Sequence, residues 1–93
     1  MQIAGKEVRL KEDFLAKDVR IFGNLEEKRQ KGEISDTDFS FEMMYLLVDE
    51  VDGNKDKDFI KKFIDNLSLA DFNALADAVA KQVQAIQWNI KKK

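Results

Sequence analysis

The sequence contains no cysteine, no histidine and no proline, and only four glycines in 93 residues. Without cysteine there is no disulfide, thiolate ligand or thiol nucleophile, so the fold rests on packing alone. Histidine is the side chain that most often does general acid–base work at neutral pH, and its absence excludes acyl-transfer triads of the Ser-His type. A chain without proline has few obligatory breaks, which favours long helices joined by short polar turns. Gly5, Gly23, Gly32 and Gly53 are scattered and form no phosphate-cradling loop. Long apolar runs are missing too. No stretch approaches the roughly 18 residues that span a bilayer, and the opening MQIAGKEVRL lacks the apolar run of about seven that a signal peptide needs. The expectation is a cytosolic protein with no membrane partner.

Sixteen Lys and Arg face eighteen Asp and Glu, a net charge of −2 with the signs intermixed. Nucleic-acid binding wants a clustered positive face, so none is expected. An apolar share of 44% beside 37% charged residues indicates amphipathic helices rather than a disordered tail. Residues 1–93 read as one domain with one core.

The first eleven residues alternate, with Ile3, Val8 and Leu10 on one side, Glu7, Arg9 and Lys11 on the other, and Gly5-Lys6 able to turn. This predicts a small β-hairpin over 1–11. Two strands alone are marginal in water, so the ribbon must pack on helices or borrow a strand. A first helix is expected over 13–30 from the spacing of Phe14, Leu15, Val19, Phe22 and Leu25, with a kink or break left open at Gly23-Asn24. Ser35 with Asp38 opens a second helix over 36–51. Its apolar residues, Phe39, Phe41, Met43, Met44, Leu47, Val48 and Val51, surround most of its circumference, which predicts a central helix. A third follows over 57–66. Ser68 with Asp71 opens a fourth over 69–90, where Leu69, Phe72, Leu75, Ala76, Val79, Val83, Ile86 and Ile90 form one apolar stripe. The fold class is therefore mainly α, a small N-terminal hairpin followed by a bundle of about four helices.

One segment has the rhythm of a metal loop. DEVDGNKDKDF, Asp49 to Phe59, carries acids or amides around a glycine. An EF-hand needs oxygen ligands at alternate positions, Gly at the sixth and Glu at the twelfth. Counting from Asp52 puts Lys57 sixth and Phe63 twelfth; making Gly53 sixth puts Val48 first and Phe59 last. Neither register works. A turn at Gly53-Asn54, with Asp56 and Asp58 facing the dipole of the next helix, explains the pattern better. No metal or other cofactor is expected, and no catalytic residue is assigned, because the carboxylates fall on polar faces and two of the three serines, Ser35 and Ser68, read as caps.

Trp88 falls away from the apolar stripe of the fourth helix, in line with Ala70 and near Ala74, Ala78 and Ala85. Small residues let another helix approach, and tryptophan is enriched at interface hot spots. Alanine is also simply the best helix former, and a terminal Trp can fold back on its own domain. The partner-binding candidates are Trp88, Ile86 and Ile90 at the end of this helix, with Ala74 and Ala78 on its second face.

The arrangement as a whole resembles the small tail assembly chaperones of long-tailed bacteriophages. The resemblance rests on the opening hairpin, IAGKEVRL, leading into a helix, and on the late segment SLADFNALADAV followed by a long amphipathic helix. It implies a non-enzymatic protein of the infected bacterial cytoplasm, expected to be a homo-oligomer. It also implies two partners, the helical tape-measure protein, which such chaperones keep soluble, and the tail tube protein, whose subunits they help recruit. The resemblance transfers no catalytic residue. Two other readings stand beside it, a helical regulatory or adaptor module binding another protein or DNA, and an acidic metal-responsive protein.

Overall fold

The computed structural model describes the backbone of residues 1–92 and the side chains of residues 1–87. In chain order the elements are β1 (Gln2–Ile3), β2 (Lys6–Leu10), α1 (Ala16–Gln30), α2 (Asp36–Leu47), β3 (Val48–Val51), α3 (Lys57–Asp65) and α4 (Leu69–Lys92). The fold is mainly α with the expected N-terminal hairpin, and the sheet gains a third strand, in the order β1-β2-β3.

In the hairpin Ile3 stands opposite Lys6. The loop is therefore Ala4-Gly5, one residue earlier than the turn expected at Gly5-Lys6. Both loop residues take positive φ, 54° and 76°, which lets a two-residue loop follow the twist of its strands. Gly5 adopts that conformation without strain, and Ala4 is held in it by the pairing on either side.

The third strand corrects the helix expected over 36–51. α2 stops at Leu47, and residues 48–51 pair antiparallel with β2: Val8 opposite Val51, Arg9 opposite Glu50, Leu10 opposite Val48. The register shifts between Arg9 and Leu10, so Asp49 is an extra residue on β3, a bulge. Its effect is to point both Val48 and Val51 into the core, each fully buried. Residues three apart facing one way is the signature of a helix, and here a bulged strand imitates it. The hairpin thus finds its third strand within its own chain. β3 turns back through Asp52-Gly53, again with positive φ at both residues, 51° and 80°, and Val51 and Asn54 exchange backbone bonds of 3.0 and 2.9 Å.

Side-chain caps set most helix starts, as oxygen acceptors do for the first free N–H groups. Ser35 Oγ accepts from the Asp38 N–H at 3.1 Å, and Asp56 Oδ1 from the N–H groups of Asp58 and Phe59 at 2.8 and 3.1 Å. Ser68 Oγ accepts from the Asp71 N–H at 3.2 Å and donates to the Asp71 carboxylate at 3.0 Å. α1 begins at Ala16 rather than Asp13, because the Asp18 carboxylate reaches back to the Leu15 N–H at 3.0 Å. It runs without a break through Gly23-Asn24 to Gln30.

α2 packs against α1, α3 and α4, as its broad apolar surface predicts. The core it organises includes Met44, Leu47, Ile60, Ile64, Leu75 and Ile86, all essentially sealed from solvent. Burying each such side chain contributes about 1.5–3 kcal/mol.

Candidate functional site

α1 and α4 both lean on α2, and between them they leave a groove of about 330 Å³. Its floor is apolar: Phe22 from α1, Phe39 and Met43 from α2, Val79 and Val83 from α4. Ala76 and Ala80, one turn apart on α4, form a low wall. The rim is polar, made by Glu26, Arg29, Ser40, Gln84 and Gln87.

The two rim charges cancel. Arg29 Nη2 donates to both Glu26 carboxylate oxygens at 3.2 Å, and its guanidinium carbon stands 4.4 Å from the centre of the Phe39 ring. A cation over an aromatic face is attracted by the ring quadrupole, so Arg29 is stacked as well as paired. Beyond Phe22 lie Val19 on α1 and Leu15 at its N-cap, which are 46% and 63% exposed. The apolar surface therefore extends past the groove toward the start of α1.

A second, more open depression of about 500 Å³ lies along α2, lined by Ile34, Phe41 and Tyr45 with Asp38, Glu42, Lys61 and Asp65. The Tyr45 hydroxyl donates to Asp65, and Lys61 Nζ stands 5.2 Å from the Tyr45 ring centre. Burial and the Asp65 carboxylate, with Glu42 and Asp38 nearby, push the Tyr45 phenol up to about 12. At neutral pH it is a locked hydrogen-bond donor.

The calcium-like stretch resolves into structural roles. Asp52 Oδ1 accepts the Glu7 N–H at 2.7 Å, Asn54 Oδ1 accepts the Asp56 N–H at 2.8 Å, and Asp56 caps α3. Among the described residues no three His, Cys, Asp or Glu side chains gather as a metal set, and no helix is long and apolar enough to cross a membrane.

Of the five residues expected to bind a partner, Ile86, Ala74 and Ala78 have described side chains, and these three do not share one surface. Ile86 is 1% exposed and belongs to the core. That corrects its assignment as a contact residue, because it lies on the same buried stripe as Leu75 and Val79. Ala74 is exposed and Ala78 half-buried, and neither lines the groove. The side chains of Trp88 and Ile90 lie outside the described residues. What sequence reasoning missed is the pair Ala76 and Ala80, on the opposite edge of the same helix. Their spacing of four was visible, but alanines also fall at 70, 74, 78 and 85, and spacing alone does not say which edge meets a neighbour.

Comparison with family models, with curated proteins and with solved structures finds no match to this chain.

Proposed function

We propose that this is a non-enzymatic binding protein whose groove between α1, α2 and α4 receives an amphipathic helix from a partner. In its specific form we propose a phage tail assembly chaperone, a homo-oligomer of the bacterial host cytoplasm. It would cover the tape-measure protein, keep it soluble and help recruit tail tube subunits. The observation that carries the reading is the groove itself: an apolar floor, a wall low enough for a helix backbone to approach, and a rim whose charges are mutually satisfied. Laying an amphipathic helix into such a groove buries the apolar stripes of both. A long helical partner left uncovered would aggregate through that stripe.

The test is co-expression with overlapping tape-measure fragments. Wild type is expected to hold at least one fragment soluble in a recoverable complex. Ala80→Glu places a charge on the groove wall at an exposed position, and is expected to reduce recovery at least about tenfold with little change in melting temperature, since surface substitutions stay within about 0.5 kcal/mol. Insolubility of every fragment beside the wild-type chain refutes the chaperone reading. Undiminished capture by Ala80→Glu retains it and removes the groove as its site.

A further inference from the structure

Asp18 is 2% exposed, the one buried charged side chain among the described residues, and neither the groove nor the hairpin uses it. One carboxylate oxygen meets Lys11 Nζ at 3.1 Å, and the other accepts the Leu15 N–H at 3.0 Å. Lys11 is occupied at its backbone as well. Its N–H donates to the Leu47 carbonyl, the last residue of α2, at 2.8 Å. Its carbonyl accepts Gln82 Nε2 from α4 at 2.6 Å. One residue therefore ties α1, α2 and α4 together.

The rest of α1 is held mainly on α2, with Arg29 stacked on Phe39 near its end. Phe22 and Leu25 are its buried apolar side chains, whereas Val19 and Ile21 are largely exposed. Phe14 adds an edge-on contact with the Phe22 ring, centroids 5.9 Å apart. α1 packs on α2 and leaves the groove between itself and α4, so the link from Gln82 through Lys11 to Asp18 bridges the two helices near the start of α1. At the far end, α1 passes into α2 through the short segment 31–35.

We propose that α1 is a hinged wall of the groove, and that Lys11 is the latch that holds it shut. The hinge is the 31–35 segment, and α1 turns on it as one unbroken helix, so that its start moves furthest. Losing Lys11 is costly, because it leaves the buried Asp18 as an unmatched charge away from water. Breaking the Lys11 link frees the start of α1 to swing from α4, which opens the floor at Phe22 and Val79. This proposal rests on the packing of this chain and not on the identity of any partner.

The chain has no cysteine, so a single introduced thiol reports local opening. Val79→Cys places it on the groove floor, and Ile64→Cys places a control in the core of α3, 1% exposed in the native protein. Each is combined with Lys11→Met, Asp18→Asn or Gln82→Ala, and labelling by a soluble aromatic disulfide is timed in the absence of denaturant. The latch predicts that all three changes speed labelling at position 79 at least tenfold while leaving position 64 within about twofold, and that Lys11→Arg restores the slow rate. Equal acceleration at both positions would mean that these residues serve global stability only, and no acceleration at position 79 would mean that α1 does not move; either overturns the proposal. Should Lys11→Met or Asp18→Asn fail to fold, Gln82→Ala decides alone, since it leaves the ion pair intact.

Discussion

Replacing Ile86 by alanine separates packing from partner contact on α4. The side chain is 1% exposed, so truncation removes three buried carbons, about 2.4 kcal/mol at roughly 0.8 kcal/mol per methylene. The cavity left behind adds to this, and comparable substitutions span about 2–5 kcal/mol. A loss of about 3 kcal/mol is expected, a large fraction of the roughly 5–15 kcal/mol available to a typical domain. For a chain of this size that lowers the melting temperature by about 12–24 °C. Urea unfolding followed by far-ultraviolet circular dichroism measures it, with the slope unchanged and the midpoint lowered. Ala74→Gln, at an exposed position of the same helix, is the control and should stay within about 0.5 kcal/mol. If Ile86→Ala also stayed within that margin, the side chain would not be in the core, and the placement of α4 against α2 would be wrong.

Two titrations follow, one from the buried Asp18 and one from the half-buried Tyr45. Burial raises the Asp18 carboxyl, but the Leu15 N–H and the Lys11 ammonium together outweigh it, and the group lies below its ordinary value of 3.8. The stability it contributes is thus fully present above that value and is lost as pH falls through the lower folded one. The melting-temperature gap between wild type and Asp18→Asn should be widest near neutral pH and shrink below about pH 4; a gap constant down to pH 2 would contradict the pairing. Tyr45 is the single tyrosine, so phenolate absorbance reads it directly, with a midpoint expected near 12. Because folding favours its neutral form, its contribution is present below about pH 10 and is lost as pH rises through the folded value. Asp65→Asn should lower the midpoint, and a wild-type midpoint at the ordinary value of 10.0 in the folded protein would remove the Asp65 bond.

Local signals made the helices readable, and long-range pairing hid the rest. Ser35, Asp56 and Ser68 act within three residues of themselves, so a window of sequence contains the whole interaction. The stripe through Leu75, Val79 and Ile86 is likewise a property of one helix. β3 was illegible for the opposite reason: no glycine or proline parts Leu47 from Val48, and the bulge at Asp49 gives Val48 and Val51 a helical spacing. Only β2, some forty residues earlier in the chain, makes 48–51 a strand. The groove is further still from sequence, since it exists only once α1 and α4 have been set on α2. Asp18 was hidden by its type, because an acid near the start of a helix ordinarily faces solvent and the dipole. Here it is drawn inward by Lys11, whose own position depends on where the sheet ends.

That dependence links the sheet to the groove. α2 passes into β3 without an intervening residue, so the sheet fixes the direction in which α2 leaves the core. The Leu47 carbonyl at that junction takes the Lys11 N–H, and the Lys11 carbonyl takes Gln82. The pairing of β2 with β3 therefore sets the height at which Lys11 meets both Asp18 and α4. A change that slipped β3 by one residue would not merely turn Val48 and Val51 toward solvent, as strand geometry requires. It would also displace the junction that positions Lys11, so the width of a groove between three helices depends on a strand that contributes none of its lining residues.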